Sequence, residues 1–159
     1  MIPVQTASVR WLNDEEQQAW RAFIDGSQRL LAVLNSDLSD ATGLTIADYR
    51  ILVLLSEAPR KALRMSELAA GILASRSKLT HQVRRMEAQG LVVRESCEED
   101  GRGVIAKITP RGLDELRAAA PGHVESVRAH FVDLLDSSQL KLIAEVFEKI
   151  DAHIQETTE

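Results

Sequence analysis

Apolar positions along the chain follow a helical period at both ends and a mixed one in the middle. Near the N-terminus Trp20, Phe23, Ile24, Leu31, Leu34 and Leu38 recur at spacings of three, four and seven, which line one face of a helix, and Asn13-Asp14 offers its cap. Gly43 breaks that segment and a second helix begins at Thr45. Its run Ile51-Leu52-Val53-Leu54-Leu55 is apolar nearly all round, as in a buried helix, and Pro59 ends it. After Pro110 the pattern predicts a long helix to about Leu135, interrupted or entered near Pro121-Gly122, with Val124, Val127, Phe131 and Leu134 on one side. Ser137 or Ser138 is the expected cap of a last helix, where Leu140, Ile143, Phe147, Ile150 and Ile154 step by three and four.

The middle is more compact. Ser66 is the expected cap of a short helix from Glu67 to about Leu73, and Ser75 or Ser77 that of another ending at Gly90. Leu91-Val92-Val93-Arg94 and Val104-Ile105-Ala106-Lys107-Ile108 read as strands joined by the polar loop Cys97-Glu98-Glu99-Asp100-Gly101-Arg102-Gly103, a β-hairpin. Leu63-Arg64-Met65 is a candidate third strand. The expected fold is mainly α with a small β-hairpin: a winged helix-turn-helix lobe over 45–109, with helices 13–38 and 111–157 flanking it in a single domain of 159 residues. A small winged lobe has too little surface to cover the apolar stripes of the flanking helices. Pairing across a two-fold axis would bury them, the alternative being packing within one protomer.

Turning the helix from Ser75 to Gln89 at about 100° per residue gives it two characters. With Leu79 as origin, Val83 and Met86 fall within about 40° and define the buried stripe, whereas Thr80, Arg84, Ser77, His81, Arg85 and Lys78 spread from about 100° to about 260°. Arg and Lys can bond guanine edges or phosphates, and Ser, Thr, His and Gln add adaptable contacts in a major groove that admits a helix. A charged helix face is by itself commonly just a solvated one. The hairpin adds Arg102 between two glycines with Asp100 two residues earlier, an arginine on a thin loop suited to a narrow minor groove.

Charge distribution agrees. The chain carries a formal −5, yet residues 60 to 107 hold ten basic and six acidic side chains, a local net of +4 against −9 for the remainder. Screening over about 8–10 Å lets the local patch decide what a polyanion meets.

The runs Met65-Ser66-Glu67-Leu68-Ala69, Ser75 through Glu87, Gly90-Leu91-Val92, Asp100-Gly101-Arg102-Gly103 and Ile108-Thr109-Pro110-Arg111-Gly112 together resemble the MarR family of transcriptional regulators. The resemblance covers nearly the whole chain. It implies an obligate homodimer that binds a pseudo-palindromic operator in double-stranded DNA, most simply as a repressor, with terminal dimerisation helices. By position, Arg76, Ser77, Lys78, Thr80, His81 and Arg84 are recognition-helix candidates, and Asp100 and Arg102 match the wing's Asp-x-Arg pair. Ser66, Ser75, Gln82 and Arg85 complete the candidate DNA-binding set.

Such a family also implies a small aromatic or anionic effector, for which Trp20, Phe23, Tyr49, Arg50 and Val53 are candidate walls. For Phe23 and Val53 a plain core role is the preferred expectation. Arg50 needs a carboxylate, for which Asp48, Asp25 and Glu57 are candidates, or a bound anion. The single cysteine, Cys97, sits at the base of the wing among glutamates that disfavour a thiolate, so no redox role is expected of it. His123 and His130 are seven apart on one helix and, without carboxylates from elsewhere, are expected to be solvated rather than metal-binding. Phosphate loops, nucleophile elbows and zinc-protease motifs are all missing from the sequence, so no catalytic residue, metal or cofactor is expected. No apolar run reaches the roughly 20 residues of a membrane span, and the first sixteen residues have no basic start or apolar stretch. A cytoplasmic protein is the expectation. A different class of function would fit the same helices: a winged-helix module docking an acidic protein surface without binding DNA.

Overall fold

The computed structural model describes residues 8–97 and 103–158. Helix α1 spans Asp14–Thr42, and two compact units meet within it, one ending at Val33 and the other beginning at Leu34. In the first unit, Asn13 and Glu16 form a reciprocal cap: the Glu16 amide donates to Asn13 Oδ1 and the Asn13 amide to Glu16 Oε2, both at 2.9 Å. The expected cap at Asn13 is therefore present.

The second unit continues through α2 (Ile46–Glu57), a single turn at Pro59–Lys61, β1 (Ala62–Arg64), α3 (Met65–Ile72), α4 (Arg76–Ala88), β2 (Val92–Ser96), β3 (Val104–Ile108), α5 (Pro110–His130), a turn at Val132–Leu134 and α6 (Ser137–Thr158). Gly43, at φ +76°, separates α1 from α2 in a conformation that side-chain-bearing residues avoid. Antiparallel strands lie in the order β1-β3-β2, with Leu63 and Arg94 on either side of Ala106. The hairpin and the minor strand are thus both present, shifted by one or two residues from the expected limits. The core brings Ile51, Leu52 and Leu55 of α2 together with Leu68, Leu79, Val83, Met86, Val92, Ala106 and Ile108.

Three local expectations are corrected. Ser66 does not cap α3; the helix starts two residues earlier, at Met65, and Glu67 reaches back to accept from the Arg64 amide at 2.9 Å. Asp136, rather than Ser137 or Ser138, caps α6, its Oδ1 accepting from the Gln139 amide at 2.9 Å. Helix α5 runs unbroken through Pro121, because a proline removes only one amide donor and its neighbours keep the remaining ladder.

α6 contains no buried residue, and Leu142, Val146, Phe147, Ile150 and Ile154 are all at least 43% exposed. Of the expected stripe, Leu140 and Ile143 are half-buried, whereas Phe147, Ile150 and Ile154 are exposed. No helix among the described residues is long and apolar enough to cross a membrane.

Candidate nucleic-acid interface

Helix α4 is well delimited by its sequence. Ser75 Oγ accepts from the Lys78 amide at its start. At its end Gly90, at φ +77°, lets the Gly90 amide donate to Glu87 O and the Leu91 amide to Met86 O, the paired bonds of a Schellman stop. Leu79, Val83 and Met86 are buried, as the spacing requires. Arg76, Ser77, Lys78, His81, Arg84 and Arg85 are exposed, while Thr80 and Gln82 are half-buried. Thr80 turns its hydroxyl back onto Arg76 O at 2.8 Å.

Carboxylates grip both flanks of this helix. On one side Asp48, only 3% exposed at the start of α2, accepts through Oδ1 from Arg85 Nη2 at 2.8 Å and from Gln82 Nε2 at 3.1 Å. Its Oδ2 accepts from the Thr45 amide at 3.0 Å, while the Asp48 amide donates to Thr45 Oγ1, completing a capping box. Burial pushes the Asp48 carboxyl upward, but the Thr45, Gln82 and Arg85 hydrogen bonds prevail and hold it below the usual carboxylate value. On the other flank Glu87 accepts from the Arg94 side chain at 2.9 Å and from the Arg94 amide at 3.2 Å, tying α4 to β2. These Arg94 bonds hold the Glu87 carboxyl below its ordinary range.

Beside α4, the start of α3 and the hairpin enclose a cleft of about 290 Å³, lined by Arg64, Ser66, Arg76, Thr80, Arg94 and Gly103 among others. Three arginines around one opening make it suited to an anion such as a backbone phosphate. The hairpin is anchored to α5 by Thr109, whose hydroxyl donates to Gly90 O at 2.6 Å and accepts from the Gly112 amide at 3.0 Å. Gly112 approaches the Leu91 carbonyl so closely that an added Cβ would lie 2.2 Å from that oxygen.

The sequence model of the MarR family matches residues 42–103. The crystal structure of AbsC, a MarR family transcriptional regulator from Streptomyces coelicolor, is 45% identical and superposes with a TM-score of 0.89 over 92% of this chain and 99% of its own. The chain belongs to the MarR family. A second MarR family regulator of the same organism, solved in complex with DNA, is 40% identical with a TM-score of 0.88 over 90% of each chain. The organic hydroperoxide resistance transcriptional regulator of Bacillus subtilis is 31% identical over 100 residues, 62% of this chain and 67% of its own. This MarR family protein is accordingly a DNA-binding transcriptional regulator with a winged helix-turn-helix fold.

Within that MarR family fold, the α4 residues expected at DNA share one helix. Ser66 and Ser75 are exposed at the first turn of α3 and at the cap of α4. Gln82 and Arg85, expected among the outward contacts, instead donate to Asp48. Asp100 and Arg102 lie outside the described residues.

Among the effector candidates, Tyr49 and Val53 are half-buried on α2. Trp20 and Phe23 belong to the first unit, with ring centroids 5.8 Å apart. Arg50 Nη2 donates to Gly71 O at 3.3 Å, at the C-terminal end of α3 where a cation is favoured.

The His123 side chain is not freely solvated. It lies 4.5 Å from the Tyr49 ring centroid, its Nδ1 is buried without a partner among the described residues, and burial lowers its pKa from 6.5. His130 Nε2 stands 3.4 Å from Asp37. Cys97 is buried, and its amide closes the neck of the hairpin on Gly103 O at 2.8 Å. No group of three His, Cys, Asp or Glu among the described residues is arranged to hold a metal.

Sequence reasoning missed the Asp48 junction and the three-arginine cleft. The Thr45-x-x-Asp48 spacing signals a capping box and would have placed Asp48 at a helix start, but nothing local connects it to α4.

Proposed function

We propose that the chain acts as a cytoplasmic homodimeric repressor whose α4 helices enter successive major grooves of a pseudo-palindromic operator. The observation that carries this reading is the outward face of α4, where exposed Ser77, Lys78, His81 and Arg84 lie opposite the buried Leu79-Val83-Met86 stripe. Arg84 and Lys78 are suited to base edges or phosphates, while Ser77 and His81 supply shorter polar contacts. Arg76 and the neighbouring cleft take backbone phosphate, and Asp100 and Arg102, by their place in the sequence, are assigned to minor-groove contact. Residues 45–109 act as the reading lobe, with 13–38 and 111–157 as dimerising arms. The exposed Leu142, Val146 and Ile150 of α6 supply apolar surface for pairing.

This reading assigns no catalytic step to the chain. A small aromatic, anionic effector would modulate DNA binding from the surroundings of Tyr49 and Val53, where the unpartnered His123 Nδ1 offers a polar contact. Such an effector acts only through different affinities for the DNA-competent and incompetent states.

Selection from a random duplex library, followed by fluorescence anisotropy across a salt series, tests the proposal. An enriched half-site repeated with dyad symmetry, bound with an affinity that falls steeply with salt, is the expected result. Failure to enrich any sequence, accompanied by capture of an acidic protein, would replace it with the protein-docking alternative.

A further inference from the structure

A helix seated by an apolar stripe alone has a weakly determined roll, because hydrophobic contact is non-directional. For α4 that roll matters. At a helix surface radius of about 5–6 Å, a 10° rotation moves an outward side chain by about 1 Å, which is enough to spoil a directional hydrogen bond to a base edge.

The two flanks that resist rotation are unequal. Glu87 and Arg94 are about one-third exposed, so water competes for their ion pair. The Asp48 side chain is only 4% exposed and binds two α4 donors one turn apart, at 2.8 and 3.1 Å; Arg85 itself is 49% exposed, so water is excluded from the carboxylate end of the junction and from the half-buried Gln82. In that surrounding the bonds are stronger and their loss is less readily compensated by water.

Asp48 is itself fixed. One oxygen closes the capping box with Thr45, the next residue packs against His123 of α5, and the one after that bonds Gly71 O of α3. Three consecutive residues of α2 thus engage α4, α5 and α3.

We propose that Asp48 is a positioning residue for DNA recognition, setting the roll of α4 through Gln82 and Arg85 and so deciding which side chains meet the bases. The inference rests on the DNA-reading role of α4 proposed above. On this account Gln82 and Arg85 act in sequence discrimination through their orientation of the helix.

The test uses the full chain, a duplex that wild-type protein enriches from a random library, and a scrambled duplex of the same composition. Anisotropy titrations at several salt concentrations give the affinity ratio between the two duplexes, and thermal melting establishes that each variant is folded. Asp48→Asn is expected to lower that ratio roughly tenfold or more, with a salt slope close to wild type, because no phosphate contact is lost. Removing a negative charge would by itself strengthen non-specific binding, so a fall confined to the enriched duplex reports geometry. The Gln82→Met, Arg85→Met double variant should lower the ratio by a similar factor, and adding Asp48→Asn should cost little more, since all three residues act through one junction.

A folded Asp48→Asn protein with the wild-type ratio, or losses that multiply in the triple variant, would overturn the inference alone. If Asp48→Asn does not fold, the double variant decides: a fall in the ratio with the wild-type salt slope supports the junction, whereas an unchanged ratio, or a slope reduced by about one as for a lost phosphate contact, refutes it. If wild-type protein enriches no duplex, the DNA-reading proposal fails and this inference falls with it.

Discussion

Gly112 and Gly122 occupy the same helix, yet alanine at the two positions should move stability in opposite directions. At Gly112 the new Cβ would lie 2.2 Å from Leu91 O and 2.8 Å from Ile108 Cγ1. A comfortable C···O approach is about 3.3 Å, so α5 and the start of β2 must separate by about 1 Å. That separation strains the bonds from the Thr109 amide to Leu91 O at 3.0 Å and from the Thr109 hydroxyl to Gly90 O at 2.6 Å.

Overpacking of this kind costs about 1–3 kcal/mol, and weakening one or two hydrogen bonds adds about 1 kcal/mol each. The helix propensity gained on replacing Gly by Ala returns only about 1 kcal/mol, leaving a net loss of about 1–4 kcal/mol for Gly112→Ala. Nothing lies within 4 Å of a Cβ at Gly122, so Gly122→Ala keeps the propensity gain of up to about 1 kcal/mol. Urea denaturation followed by circular dichroism at one fixed protein concentration measures both, since stability of an associating chain depends on concentration. A Gly112→Ala midpoint equal to or above wild type would refute the close-approach argument.

Four further outcomes follow from the same structure. Arg84→Ala should weaken binding to the enriched duplex by about 1–3 kcal/mol and relax base preference if it reads a base; unchanged preference in a repeated selection would assign it to phosphate. Arg76→Ala should lower affinity for all duplexes and reduce the salt slope by about one, whereas an unchanged slope would remove the cleft arginine from the phosphate contacts. His123, whose folded-state pKa is lowered from 6.5, takes up a proton less readily folded than unfolded, so its contribution to stability falls as pH drops below about 6.5. Urea midpoints measured from about pH 7.5 to 5.5 should therefore decline less in His123→Phe, and identical slopes would contradict the burial. Asp48, depressed below 3.8, contributes stability above the ordinary carboxylate value that is lost as pH falls through its folded value; Asp48→Asn should flatten the acid limb below about pH 4, and an unaltered limb would count against its hydrogen bonds.

The parts of the fold legible in the sequence were those governed by local rules. The spacing of Leu79, Val83 and Met86 placed the buried side of α4 correctly, and Gly90 marked its end because a left-handed residue is needed there. Caps were less secure. Ser66, Ser137 and Ser138 are chemically suitable, but Glu67 reaching Arg64 and Asp136 reaching Gln139 are the bonds actually formed. A strong N-cap preference shared by Ser and Asp cannot separate neighbouring positions. Pro121 misled for a related reason, since the cost of one missing donor is set against packing that periodicity does not reveal.

In the candidate interface the limit was distance along the chain. Gln82 and Arg85 lie on the polar side of α4 by angle, and only the folded structure brings Asp48, 34 and 37 residues earlier, against them. Arg50 was recognised as a cation in need of a partner, but its acceptor is a backbone carbonyl 21 residues away, invisible to any search among acidic side chains.

The exposed apolar face of α6 has a consequence for how such a regulator is metered in a cell. With Leu142, Val146 and Ile150 about half exposed on α6, pairing with a second copy, as proposed above, would remove the cost of wetting that face. The competent species would then grow with the square of abundance at low dose. A regulator assembled this way would have a threshold written into its last helix: halving its synthesis would remove more than half of its grip on the DNA.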